Sequence, residues 1–236
     1  DYSKDALALT DGVPVKQGSS ATPTGTVNFN DGSDASSQLR QANGCTRVTL
    51  NGGVSGRAGP GDFHCYDAAA DSYNYQPFNL LQTPQKRTNA FVLGTYRFSD
   101  SVEGYVNTWF SKTESASIIA PIPIFSNGDN ILVSSQSYYN PFGVNFGTDR
   151  SSGTSYNDFN TRATVLGNRS YQYNTYNFQI SPGLRGRFGD SSWQWDATFN
   201  YGKVKQKSIN NGFLDYATFN QAIGPSFLDS DGVVKC

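Results

Sequence analysis

The sequence has no methionine, one histidine and few charges. In 236 residues, 18 Lys and Arg stand against 19 Asp and Glu, a formal net charge of −1. So balanced a chain carries no basic field to hold nucleic acid. His64 alone cannot build a histidine-rich metal site, and no spaced partners surround His64-Cys65. No apolar run reaches the ~18 residues of a transmembrane helix. The longest, Ile118 to Phe125, is interrupted by Pro121 and Pro123. What the chain does have is aromatics (14%) and 24 Gly, against only 16% charged residues. That profile suits an all-β protein with long polar loops, either extracellular or an outer-membrane barrel.

Three cysteines cannot all pair within the chain. Cys45 with Cys65 closes a loop of about 20 residues and implies an oxidising compartment. Cys236 is then left to a partner outside these residues. The chain also starts at Asp1 without a signal peptide, and stops directly after Val233-Val234-Lys235. The expectation is a section of a larger protein.

Residues 1–84 are rich in Gly, Ser, Asn, Asp and Thr and read as long loop, as do 115–173 and the segment from Ile209. Loops of that length are foreign to a compact soluble domain and ordinary on the outer face of a membrane barrel. The periodic parts lie between them.

Along 175–188 the even positions are Tyr176, Phe178, Ile180, Pro182, Leu184, Gly186 and Phe188, while the odd ones run Thr175, Asn177, Gln179, Ser181, Gly183, Arg185 and Arg187. Period two with unlike faces is a strand. Gly189-Asp190-Ser191-Ser192 is a turn, and the alternation resumes with Trp193, Trp195, Ala197, Phe199 and Tyr201. Setting Phe188 against Trp193 puts Gly186 opposite Trp195 and Arg185 opposite Asp196. The stretch from Ala90 repeats the plan around the turn Ser99-Asp100-Ser101. Phe98 against Val102 puts Gly94 opposite Val106, Tyr96 opposite Gly104 and Arg97 opposite Glu103. Phe91, Leu93, Tyr105 and Trp109 spoil the second face of that hairpin. Pro182 donates no hydrogen bond, so a bulge or bend is expected there.

These patterns predict membrane strands over about 88–98, 102–114, 174–188 and 193–207. A tilted membrane strand needs about 9–11 residues. Trp193 to Tyr201 is such a span, after which the same face turns to Lys203, Lys205 and Lys207. Tyr96, Phe98, Phe188, Trp193 and Trp195 gather at the short-turn ends, where an aromatic girdle sits. The fold expected is all-β: long antiparallel hairpins forming part of a transmembrane β-barrel, with short periplasmic turns and long extracellular loops.

Several stretches resemble TonB-dependent outer-membrane receptors. They are Tyr73-Asn74-Tyr75-Gln76-Pro77-Phe78-Asn79, Gln82-Thr83-Pro84-Gln85-Lys86-Arg87 with the strand that follows, Ser137-Tyr138-Tyr139-Asn140-Pro141-Phe142-Gly143, Leu166-Gly167-Asn168-Arg169, and Phe188-Gly189-Asp190-Ser191-Ser192-Trp193-Gln194-Trp195-Asp196. The resemblance covers about 73–228. It implies a barrel of about 22 strands with an internal plug domain, importing a siderophore, cobalamin or an oligosaccharide across the bacterial outer membrane. It also implies coupling of the whole receptor to the TonB–ExbB–ExbD complex. Residues 1–236 contain neither plug nor TonB box and about four membrane strands. They read as part of the barrel domain, with outer-membrane lipid, the rest of the barrel and the plug as partners. The competing expectation is a soluble, secreted carbohydrate-binding β-sandwich.

No enzyme and no cofactor are expected. His64 and Asp190-Ser191 echo a serine-protease order, but Ser192-Trp193 follows where that motif needs glycine. Asp229-Ser230-Asp231-Gly232 lacks the downstream acids of a calcium loop. Ligand contacts are expected at Tyr138, Tyr139, Asn140 and Phe142, because exposed rings and amides suit sugars or aromatic chelates. The alternative is that Asn140-Pro141-Phe142-Gly143 is merely a packed turn.

Overall fold

The computed structural model describes residues 5–235; Cys236, and with it any pairing of that thiol, lies outside the described residues. In chain order the strands are β1 (Leu7–Thr10), β2 (Val13–Lys16), β3 (Thr26–Asn28), β4 (Arg47–Leu50), β5 (Phe63–Cys65), β6 (Gln85–Ser99), β7 (Val102–Ile119), β8 (Pro123–Phe125), β9 (Leu132–Val133), β10 (Phe146–Gly147), β11 (Asp158–Arg162), β12 (Arg169–Arg187), β13 (Gln194–Thr198), β14 (Tyr201–Asn211), β15 (Phe227–Leu228) and β16 (Val234–Lys235). The helices are α1 (Asp34–Asn43), α2 (Ala68–Asp71) and α3 (Tyr216–Ala222). Strand accounts for 46% and helix for 13%, so the chain is all-β, and no sheet among the described residues closes into a barrel.

The chain divides into two compact units. One comprises residues up to Asn79, Ile119–Arg169 and the segment from Gly212; the other comprises Leu80–Ile118 and Ser170–Asn211.

The first unit is built on a five-stranded antiparallel sheet, β5-β4-β3-β11-β8. One face carries Val27, Phe29, Val48, Phe142 and Phe146, with Leu39, Phe63, Val133 and Phe159 packed against them. The opposite face is polar and still buried. Thr26, Thr49, Asn160 and Arg162 are all under a tenth exposed. Thr26 Oγ1 donates to Ser20 O at 3.0 Å and Thr49 Oγ1 to Gly25 O at 2.7 Å. Arg162 gives Nε to Ala21 O and an Nη to Pro121 O, with its guanidinium 4.4 Å from the centre of the Tyr73 ring. Burial pushes the Arg162 pKa down, and the carbonyls and ring replace the water it loses.

This unit corrects the expectation of long loop over 1–84, 115–173 and the segment from Ile209. Its strands are only two to five residues long, and its sheet is buried on a polar face as well as an apolar one. Neither condition leaves a period-two hydrophobic pattern to read. Helix α1 begins at Ser33, whose side chain accepts from Ser36 N, and stops at Gly44, which has a φ of 73°. The fully buried Asn157 ties it down through Ser36 and Asp31.

The second unit is one sheet, β6-β7-β12 with β13 and β14 both on β12. β6 and β7 form one hairpin, and β12 with β13 and β14 the other. Arg187 N donates to Ser101 O at 3.0 Å, while Lys112 lies over Tyr176 farther along. β7 and β12 therefore run antiparallel. The registers match those expected at Gly186–Trp195 and Arg185–Asp196, and at Gly94–Val106, Tyr96–Gly104 and Arg97–Glu103; Leu184–Ala197 and Ile180–Tyr201 continue the first of them.

Two details differ. Val102 faces Ser99 rather than Phe98. The turn is a tight Asp100-Ser101, so Phe98 becomes the extra residue of a bulge. The expected strand 193–207 is split into β13 and β14, with a gap at Phe199-Asn200 opposite Ser181-Pro182. Phe199 N still donates to Pro182 O at 2.9 Å, but Pro182 has no N–H to return. The register is the same on both sides of the gap, so the proline interrupts the ladder without a bulge. The remaining strands, Gln85–Ser99, Val102–Ile119 and Arg169–Arg187, run past the expected limits at both ends of the first, at Ile119 and at Arg169, while the last stops one residue short of 188.

This second unit has no apolar interior. Every buried apolar side chain among the described residues belongs to the first unit. On the sheet, Leu184 is 45% exposed, Phe199 66% and Trp193 75%.

Candidate functional site

The site is best built from the loop between β9 and β10. Asn140 holds it closed: Nδ2 donates to Ser134 O and Val144 O, both at 2.9 Å, and Oδ1 accepts from Phe142 N at 3.1 Å. Every hydrogen bond of that amide but one acceptor site is used on its own loop. Phe142 then points inward, 5.1 Å from Phe29, 4.8 Å from Phe63 and 6.2 Å from Phe146, ring centre to ring centre. Tyr138 and Tyr139 meet edge to face at 5.1 Å, and the Arg57 guanidinium covers Tyr138 at 4.7 Å while its Nε donates to Tyr138 O.

The side of this loop that faces the sheet bounds a cavity of about 460 Å³. Tyr139, Asn140 and Phe142 line it; Tyr138 does not. Of the residues expected from sequence, Asn140 and Phe142 act mainly as scaffold, and Tyr139, 55% exposed, is the ring best placed at the rim. The other walls were not legible beforehand. Phe63 comes from β5, Phe146 from β10, Phe159 from β11, and Phe219 and Ile223 from α3 and its end. They are scattered over some 160 positions, and only the sheet order brings them together.

Helix α3 is held as a wall by two side chains. Asp215 caps it, accepting from Ala217 N at 2.9 Å and Thr218 N at 3.3 Å. The N–H groups of Thr218 and Ala217 hold the Asp215 carboxyl below its ordinary value. Asn220 accepts from Leu132 N and donates to Asn130 O, each at 3.0 Å. The helix is thereby pinned to β9.

Cys45 and Cys65 are joined by a disulfide, with their Cα atoms 6.0 Å apart. His64 lies in β5 rather than in a loop, Nδ1 2.7 Å from Asn51 Oδ1 and Nε2 3.2 Å from the Asp71 carboxylate. Ser191 belongs to a hairpin turn, its Oγ donating to Phe188 O at 2.6 Å. Asp229 Oδ1 accepts from Asp231 N and Val233 N, again closing a turn. Among the described residues no group of three His, Cys, Asp or Glu side chains is placed to hold a metal ion.

The second unit carries a charged cluster on its polar face. Arg185 Nε donates to Glu103 at 2.8 Å, Tyr105 Oη donates to Asp196 at 2.6 Å, and Thr198 Oγ1 adjoins the same hydroxyl. Arg97 stands opposite Glu103 and Arg185 opposite Asp196. Compared with protein-family models and with curated proteins, the chain matches none.

Proposed function

We propose that this chain is a section of a TonB-dependent outer-membrane receptor, carrying part of the barrel wall and a compact unit that meets the ligand. The observation that supports the reading is the second unit's sheet. It is a single layer with an aromatic and aliphatic face left open; the face behind it is charged and hydrogen-bonded around Arg185, Glu103, Tyr105 and Asp196 and carries Phe91, Leu93 and Trp109 farther along. An exposed apolar surface of that extent is what lipid contact requires.

The hydrocarbon zone runs from the short turns to Ile180 and Tyr201. Beyond that pair, Lys203 faces Phe178 and Lys205 faces Tyr176. Lys112 lies over the same Tyr176 ring, 5.6 Å from its centre. A row of lysines and tyrosine at one level suits the headgroup region, where long cationic side chains reach water. The aromatic residues at the other end, Phe98, Phe188 and Trp193, form the periplasmic girdle.

The outer edges of β6 and of β13 and β14 have no further strand among the described residues. In lipid such edges must be paired, so the rest of the barrel is the required partner on both sides. Transport itself belongs to the whole receptor with its plug and the TonB–ExbB–ExbD complex. The alternative, a carbohydrate-binding sandwich, needs a second sheet packed over the apolar face.

The test is the chain's behaviour in lipid. Expressed with an outer-membrane signal as part of the longer barrel we propose for it, it should fractionate with the membrane, need detergent for extraction, and migrate differently on denaturing gels before and after boiling. A folded, monomeric product that stays in buffer without detergent overturns the reading.

A further inference from the structure

We infer that the cavity of the first unit binds a small, uncharged, ring-bearing molecule and rejects anions. Its lining contains five phenylalanines, Phe63, Phe142, Phe146, Phe159 and Phe219, and no Asp, Glu, Lys, Arg or His. Its volume of about 460 Å³ falls within the usual ~300–1,000 Å³ of small-ligand sites.

The charge-free wall decides the ligand class. A carboxylate or phosphate entering it would give up its water and find no cation, which is the costliest form of burial. A flat neutral ring loses little water and gains edge and face contacts with the phenyl groups. Polar handles stand beside these rings. Ser137 and Ser226 place their hydroxyls 3.5 Å apart and both belong to the lining, as does Tyr139. One hydroxyl or amide on the ligand is therefore accommodated.

The floor is shaped for close approach. Gly25 has a φ of +76°, and a Cβ there would stand 3.1 Å from Cε2 of Phe159. A side chain would press on that ring from the sheet side. The opposite wall, α3, is fixed by Asn220, so the cavity is held open by hydrogen bonds that do not depend on an occupant.

This inference deepens the receptor reading and rests on it for what would be imported. Binding is measured separately from membrane assembly, so one can fail without the other. The probes are 2-naphthol, neutral at pH 7, and 2-naphthoate, an anion of nearly the same shape. Each is equilibrated by dialysis against the full chain, with protein-free medium subtracted. Naphthol should bind at one equivalent, and naphthoate at least about tenfold more weakly. Ala222→Trp, which puts an indole into the cavity, should weaken naphthol by about tenfold or more, while Gln221→Trp on the same helix should leave it unchanged. Should Ala222→Trp fail to fold, nuclear Overhauser contacts from naphthol to the methyls of Val133 and Ile223 in the unaltered chain give an independent answer. Equal binding of the two probes, undiminished naphthol binding by folded Ala222→Trp, or no contact to those methyls overturns the inference.

Discussion

Gly183 lies directly beneath the ring of Tyr105. A Cβ at 183 would sit 2.3 Å from Tyr105 Cζ, and because none is there the ring crosses onto β12 and its hydroxyl reaches Asp196. The relationship explains an aromatic residue on the polar face of the first hairpin. Tyr105 uses its ring as a spacer and its hydroxyl as a donor, so it belongs with Arg185, Glu103 and Asp196 rather than with the apolar face. Arg185 also lies 5.5 Å from the centre of that ring.

Gly183→Ala should therefore cost about 1–3 kcal/mol, the usual range for forcing a methyl into filled space. The loss should largely vanish in a Tyr105→Ala background, because the clash needs both partners. Denaturant unfolding of the four proteins of that cycle measures the coupling. Equal losses in both backgrounds would mean that the glycine is needed for its backbone instead.

The membrane reading predicts that charge is tolerated on one face only. Leu184→Arg or Phe199→Arg should each oppose insertion by about 2–4 kcal/mol near the midplane. Asn107→Arg, on the face of Tyr105 and paired with Leu93 within the same zone, should insert normally. Thr198 is a poor control despite its polar face, since it adjoins the Tyr105 hydroxyl. The measurement is the fraction of the whole barrel carrying each substitution that resists carbonate extraction from membranes. If all three variants insert alike, the two faces are not lipid and water.

The second unit was largely legible in the sequence because its strands are long and the character of its side chains alternates along them. Leu184 and Arg185 are neighbours of opposite character, and that contrast persists for many residues. Setting the residues that flank each short turn against one another then brought opposite charges such as Arg97 and Glu103 face to face, as the structure has them. The first unit was not legible for the converse reason. Thr26 and Val27 are both buried, one on each face of a three-residue strand. Nothing in so short and doubly buried a segment distinguishes it from loop. The cavity inherits the same opacity: Phe159 and Phe219 are close only because β11 lies beside β3 and Asn220 fastens α3. Asn140 was visible as a candidate, but its amide turned out to serve its own loop.

Reducing the Cys45–Cys65 bond should weaken the first unit. The bridge spans a separation of 20 residues, for which loop closure predicts about 3 kcal/mol. Cys65 adjoins Phe63 and pairs with Val48 across β4 and β5, so the effect should fall on that edge of the sheet and on the cavity wall. Unfolding by urea with and without dithiothreitol, and in a Cys45→Ser/Cys65→Ser variant, measures it. A midpoint unmoved in both comparisons would show that the sheet holds without the bridge.

Acid should loosen α3 before the sheet beneath it. The Asp215 carboxyl is held below its ordinary value of 3.8 by the N–H groups of Thr218 and Ala217. A depressed carboxylate contributes its stability in full above the ordinary value and loses it as the pH falls through the lower, folded value. The window is therefore below 3.8, and at neutral pH the cap is at full strength. Asp215→Asn keeps an oxygen acceptor at the cap without a proton to gain at those pH values, so its protection of the Ala217 and Thr218 amides should not change through the window. Asp215→Ala should lack that protection at every pH. Hydrogen-exchange protection factors at those two amides, taken across the window for all three chains, separate the outcomes. Parallel pH profiles for the native chain and Asp215→Asn would place the acid-sensitive group elsewhere, and the cap would then be only a geometric start to the helix.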